Sequence, residues 1–139
     1  MAERLPLEDA LQEFDLLLLD TCVLIDEFKR PTGRLAEVNL PQRSTSIVAM
    51  WEFLHVTAGK LLPTKERADR RDWLNDQGIL TLRLSEGCGE RFEGLLETEG
   101  ERSLADSLLA AECLAREIPF ATRNVKHFVT VPGLRLVEW

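Results

Sequence analysis

Leu16-Leu-Leu-Leu-Asp20-Thr-Cys-Val-Leu-Ile-Asp26 sets an unbroken apolar tetrad against a single acid and then changes period. Four consecutive leucines offer apolar side chains to both faces of an extended chain. The tetrad therefore reads as a central strand covered on both sides, as in a parallel sheet. Over 21–29 the pattern becomes helical, and Pro31 and Gly33 close that element. Asp20 stands at the carboxyl end of the strand, the edge where open α/β sheets collect their ligands.

Outward from this unit, apolar blocks keep alternating with polar, helix-like stretches. A second short strand is expected over 44–48, feeding a helix over 49–62 whose apolar side carries Trp51, Leu54, Ala58 and Leu61. Thr64 is placed as the N-cap of a charged helix that ends before Gly78, and 79–84 alternates like a half-exposed strand. The Glu-rich, Gly-interrupted stretch 86–100 gives no assignable period. Residues 103–117 are rich in Ala and Leu, with Leu104, Leu108, Ala111 and Ala115 at helical spacing, and strands follow at 119–122 and 134–137. The fold class is α/β, one domain with a central parallel sheet flanked by helices, spanning 14–139 after an N-terminal extension, 1–13.

At 139 residues the chain has the size of one domain. No apolar run approaches a membrane span, and the acidic start has no signal-peptide layout, so a cytoplasmic location is expected, with no membrane partner. Cys22, Cys88 and Cys113 are an odd count without C-x-x-C spacing, which points to free thiols instead of a disulfide framework or a zinc site. The balance of 17 basic against 24 acidic residues excludes a protein that coats nucleic acid simply by neutralising phosphates. A carboxylate-rich metal site with a local basic rim is compatible with it.

Three acids stand where strands give way to helices. Asp20 follows the leucine tetrad, Glu52 lies near the start of the helix after the second strand, and Asp106 sits in the first turn of the 103–117 helix. Thr122 and Asn124 close the 119–122 strand in the same way. If these strands are neighbours, the polar groups converge on one rim. Three carboxylates packed together call for a cation, and hard oxygen ligands without a Cys or His cluster favour Mg²⁺ or Mn²⁺ over zinc. Such an ion supports phosphodiester hydrolysis by activating water and stabilising charge on phosphate.

Each residue also has a plainer reading. Asp20 can cap the helix that follows, and Ser103 to Asp106 has capping-box spacing. Glu52, set among Met50, Trp51, Phe53 and Leu54, needs either solvent or a partner. Glu52 and His55 form one E-x-x-H pair, whereas a di-iron bundle needs two. Asp26 can support the site from along its helix or be solvated, and Cys22 and Cys113 read as core residues.

The segments quoted resemble PIN domains, especially toxins of the VapC type. Leu16 to Asp26 resembles the opening strand and motif, Ser46-Ile-Val-Ala-Met-Trp-Glu52-Phe-Leu the second acidic segment, and Asp106-Ser-Leu-Leu-Ala-Ala111 the third. Phe120-Ala-Thr-Arg-Asn-Val-Lys-His-Phe128 and Val131-Pro-Gly-Leu-Arg-Leu-Val137 resemble the family's C-terminal end. The resemblance implies a Mg²⁺- or Mn²⁺-dependent endoribonuclease acting on RNA, frequently a homodimer, and a cognate antitoxin encoded alongside that blocks the site. It implies Asp20, Glu52 and Asp106 as metal-binding acids, with Thr122 lining the site. Asn124 departs from it, falling where many members carry a fourth acid, and Cys22 stands where Asn or Ser is common.

For a basic rim, Arg67, Arg70 and Arg71 share a helical face, with a solvated face as the alternative, while Arg123 and Lys126 beside the site are the better candidates to touch phosphate. A haloacid-dehalogenase-type phosphatase needs a second carboxylate where this chain has Cys22. A PIN-like domain kept as a non-catalytic RNA- or protein-binding module is the surviving alternative.

Overall fold

The computed structural model describes residues 1–98, 100 and 102–139. In chain order its elements are β1 (Glu3–Arg4), α1 (Leu7–Glu13), β2 (Leu17–Leu19), α2 (Thr21–Lys29), α3 (Arg34–Glu37), a 3₁₀ turn (Leu40–Gln42), β3 (Arg43–Ser46), α4 (Ile47–His55), β4 (Val56–Thr57), β5 (Lys60–Leu61), α5 (Thr64–Asp76), β6 (Leu80–Leu82), α6 (Cys88–Leu96), α7 (Leu104–Arg116), β7 (Phe120–Thr122), α8 (Val125–Phe128) and β8 (Arg135–Glu138). Six strands form one sheet in the order β1-β8-β7-β2-β3-β6, every pair parallel. Helices cover both faces, as expected for parallel strands joined by crossovers.

The leucine tetrad explains the two-sided core. Leu18 packs into one apolar cluster with Phe120, Leu136 and α7, whereas Leu17 and Leu19 join a second with Val23, Phe53 and Val137. Successive strand residues face opposite sides, so three leucines in a row fill both clusters. All three are buried. Among the described residues, no helix is long and apolar enough to cross a membrane.

Three local expectations need correction. Residues 1–13 do not stand apart from the domain: β1 is an edge strand paired with β8, and α1 buries Leu7 and Ala10. The helix expected over 49–62 ends at His55, because the chain turns through Ala58 (φ 50°) and Gly59 (φ 76°) into the antiparallel β4–β5 hairpin. Two successive positive φ values suit a tight hairpin turn. The buried side of α4 is therefore Ala49, Phe53 and Leu54, while Trp51 and Leu61 are exposed. The unassigned stretch contains α6, which buries Cys88 and Leu95; Glu99, at its end, lies outside the described residues.

Candidate active site

β2 lies at the centre of the sheet, with β3 on one side and β7 on the other. The chain leaves β2 in one direction through β3 to β6 and later returns on the opposite side through β7 to β8. This makes the β2–β7 edge a topological switch point, where a crevice opens at the carboxyl ends of the strands. Asp20 and Thr122 are the residues that close those two strands.

Asp20 is buried, and its two carboxylate oxygens are divided between tasks. Oδ1 accepts the Thr21 backbone N–H at 2.7 Å, capping α2. Oδ2 accepts the Thr122 hydroxyl at 2.7 Å and the Cys22 thiol at 3.4 Å. The plain reading and the site reading of Asp20 therefore both hold, one on each oxygen. Thr122 Oγ1 in turn accepts the Asn124 backbone N–H at 3.0 Å, which orients the hydroxyl toward Asp20. Asn124 itself caps α8 without a side-chain hydrogen bond.

The other two acids are held by different neighbours. α4 packs against both α2 and α7. Across the first contact, Glu52 Oε1 accepts the Thr21 hydroxyl at 3.1 Å. Ser103 caps α7 by accepting the Asp106 N–H at 3.1 Å, which leaves the Asp106 carboxylate facing His127, whose Nδ1 is 3.6 Å from Oδ2.

Electrostatics links the three. Burial pushes the Asp20 carboxyl above its ordinary range, against the hydrogen bonds from Thr122, Thr21 and Cys22, and the Asp106 charge adds to the rise. Glu52 is raised by partial burial and by the charges of Asp20 and Asp106. Burial is the larger cause of both shifts and repulsion between the acids the smaller, and both favour the neutral form. Cys22 is no nucleophile, since burial and the nearby Asp20 hold its thiol up at about 11.

Carboxylate and hydroxyl oxygens are the donor type that a hard divalent cation takes. They are not gathered into a cage: among the described residues, no three His, Cys, Asp or Glu side chains are grouped closely enough to hold a metal ion.

The expected basic rim divides. Arg123 is exposed beside Thr122 and pairs with Asp26 of α2, joining two segments that flank the crevice. Lys126 is exposed on α8. The Arg67, Arg70 and Arg71 face is not a phosphate surface, because Arg70 is fully buried and donates to the Phe53 carbonyl at 2.8 Å and to Glu66 at 3.1 Å. Arg67 is half-buried against Thr64, leaving Arg71 exposed.

Sequence reasoning missed Thr21 as the partner of Glu52, and it gave Cys22 no polar role although the thiol donates to Asp20. Both follow Asp20 directly, so their adjacency to a proposed ligand was the available signal. His127 had none, because nothing local ties it to Asp106.

A family model described as PIN domain matches residues 17–133. No curated protein matches the chain. Among solved structures, a toxin–antitoxin complex from Klebsiella pneumoniae matches at 27% identity and a TM-score of 0.64, over 85% of this chain and 94% of that one. DNA-bound VapBC from Salmonella typhimurium matches at 18% identity and a TM-score of 0.74, over 91% and 99% of the two chains. VapBC-1 from nontypeable Haemophilus influenzae matches at 18% identity and a TM-score of 0.72, over 89% and 98%. At 18% the likeness is one of fold.

Proposed function

The chain belongs to the PIN domain family, and we propose that it is a Mg²⁺- or Mn²⁺-dependent endoribonuclease that hydrolyses RNA phosphodiester bonds as the toxin of a toxin–antitoxin pair. The observation that carries the reading is Asp20, buried at the switch point of the sheet, hydrogen-bonded to Thr122 and repelled by the charge of Asp106, which with Asp20 also acts on Glu52. Similarity to solved toxin–antitoxin complexes supports a cognate antitoxin as partner, and a homodimer acting in the cytoplasm completes the proposal.

Asp20, Glu52 and Asp106 would hold the cation. Once bound, it supplies Lewis acidity that makes water a better nucleophile and offsets charge developing on phosphate. The chain's own residues prepare for this. Thr122 and Cys22 fix the rotation of the Asp20 carboxylate, and Asn124 fixes Thr122 through its backbone N–H. Thr21 holds Glu52 toward the crevice from the first turn of α2. Arg123 and Lys126 stand beside Thr122 to receive phosphates, with Arg123 exchanging Asp26 for RNA.

The test is cleavage of single-stranded RNA by purified protein with added Mg²⁺ or Mn²⁺. Asp20→Asn and Asp106→Asn should each abolish cleavage while circular dichroism stays unchanged. Unchanged cleavage in both variants would refute the site. RNA binding with no cleavage under any divalent cation would instead support the non-catalytic module. Coexpression with the product of an adjacent small reading frame should suppress cleavage if the toxin assignment is right.

A further inference from the structure

Trp51 stands one position before Glu52 and is 53% exposed, although indoles are mostly buried. On α4 the side chains of Ala49, Phe53 and Leu54 turn to the core, which leaves Trp51, Glu52 and, one turn on, the half-buried His55 on the outward side. His55 Nδ1 lies 3.0 Å from the Trp51 carbonyl, so a proton on that nitrogen donates to it. The bond holds the imidazole flat against the indole, with ring centroids 4.6 Å apart and planes 18° from parallel. With His55 on one face, the exposure of the indole falls on its edge and its other face.

The Cα atoms of Trp51 and Glu52 are about 3.8 Å apart, as for any chain neighbours, so the indole is within reach of a strand whose phosphate meets the acidic rim. That rim is short of cations. The chain carries a net charge of −7, and of the arginines expected there Arg70 is fully buried. Phosphate attraction alone is therefore a weak hold on RNA here, whereas stacking on an aromatic face needs no charge and accepts any base.

We propose that Trp51, backed by His55, is a stacking platform for an unpaired base of the RNA that is cut beside Glu52. The inference rests on the nuclease reading above and adds a base-binding residue to it. It also gives a reason for a single-stranded substrate, because the faces of bases in a duplex are already covered by their neighbours.

Short single-stranded RNA oligonucleotides are the probe, titrated into the full chain carrying Asp106→Asn so that none is cut. Binding should quench tryptophan fluorescence, and Trp51→Phe should remove most of the quenching, since Trp73 packs against Phe28 and Phe53 and Trp139 lies under Arg34. Trp51→Ala should weaken binding about 5- to 100-fold with the slope of log affinity against log salt unchanged, and Trp51→Phe should recover most of that loss. A fully abasic oligonucleotide should bind the Trp51→Ala chain as well as its parent. Affinity for ordinary RNA that is unchanged in Trp51→Ala would overturn the inference and leave the nuclease reading intact, and loss of suppression by the coexpressed partner in that variant would then give the face to a protein. Base-dependent quenching without cleavage by the wild type under any divalent cation would refute the nuclease reading alone. Failure of the wild type to bind RNA would overturn both.

Discussion

Two buried charged groups in this molecule are treated in opposite ways. Arg70, fully enclosed between α5 and α4, donates to the Phe53 carbonyl and to Glu66, and its guanidinium carbon lies 5.3 Å from the Phe28 ring centroid and 4.9 Å from that of Phe53. Its charge is matched by a carboxylate and by aromatic faces, although Nε lacks a partner. Asp20 is also buried, but its partners are neutral donors, and the charge that acts on it, Asp106, has its own sign. Matched burial locks a helix onto the core. Unmatched burial stores an attraction for something that is not protein, which is why perturbed carboxylates at a strand edge mark a site more reliably than a run of arginines on a helix.

The largest expected effect separates the two regions by what is lost. Arg70→Met should destabilise the fold by about 3 kcal/mol, because it leaves a buried carbonyl without its donor and removes a charge partner. Urea denaturation checks this. Asp20→Asn should lose catalysis without lowering its unfolding midpoint. If Asp20→Asn proves the more destabilising of the two, the contrast between a structural and a functional charge fails.

Next in size is Thr122→Val, which removes the hydroxyl holding Asp20 Oδ2 but keeps the side chain's shape. Groups that orient a metal ligand contribute about 10- to 100-fold in affinity or activity. A loss of that order in RNA cleavage is expected, with Mn²⁺ titration showing a parallel weakening. Full activity would mean that Asp20 is held well enough by Thr21 and Cys22.

A smaller effect concerns pH. Asp20 and Glu52 are raised in the fold, so folding favours their protonated forms. Their contribution to stability is fully present below the unfolded-state values and is lost as pH rises through the raised values. The metal-free protein should therefore melt higher for Asp20→Asn than for wild type at neutral pH, with the gap closing in acid, where both carry no charge at that position. Metal affinity should run the other way, falling as pH is lowered and the carboxylates protonate. Thermal melts across pH with a chelator present would reverse the assignment if the gap widened in acid.

The smallest effect is on the rim. Arg123→Ala should leave the melting temperature nearly unchanged, since its pair with Asp26 is largely exposed. RNA affinity should fall, and the slope of log affinity against log salt should drop by about 1. An unchanged slope would remove Arg123 from the phosphate contacts.

How much of this was legible depended on whether a signal was local. The leucine tetrad, the helix opening at Thr21 and the Ala- and Leu-rich 104–116 helix carry their periods in adjacent residues, and the structure forms them within a residue or two. The β4–β5 hairpin was misread because Trp51, Leu54, Ala58 and Leu61 keep helical spacing across a turn at Ala58–Gly59. The arginine face failed for a related reason: spacing says which residues share a face, not whether that face meets water or Phe28 and Phe53.

Sequence alone determined the strand-and-helix alternation, the placing of Asp20 and Thr122 at strand ends and the order of the acidic segments. Tertiary structure decided that β7 lies beside β2, so that a hydroxyl 102 positions away reaches the Asp20 carboxylate, and that α8 turns His127 toward Asp106. Hydrogen bonds and shared charge act over a few ångströms. Periodicity records how a segment folds on itself, whereas those short distances exist only once the sheet has chosen its neighbours.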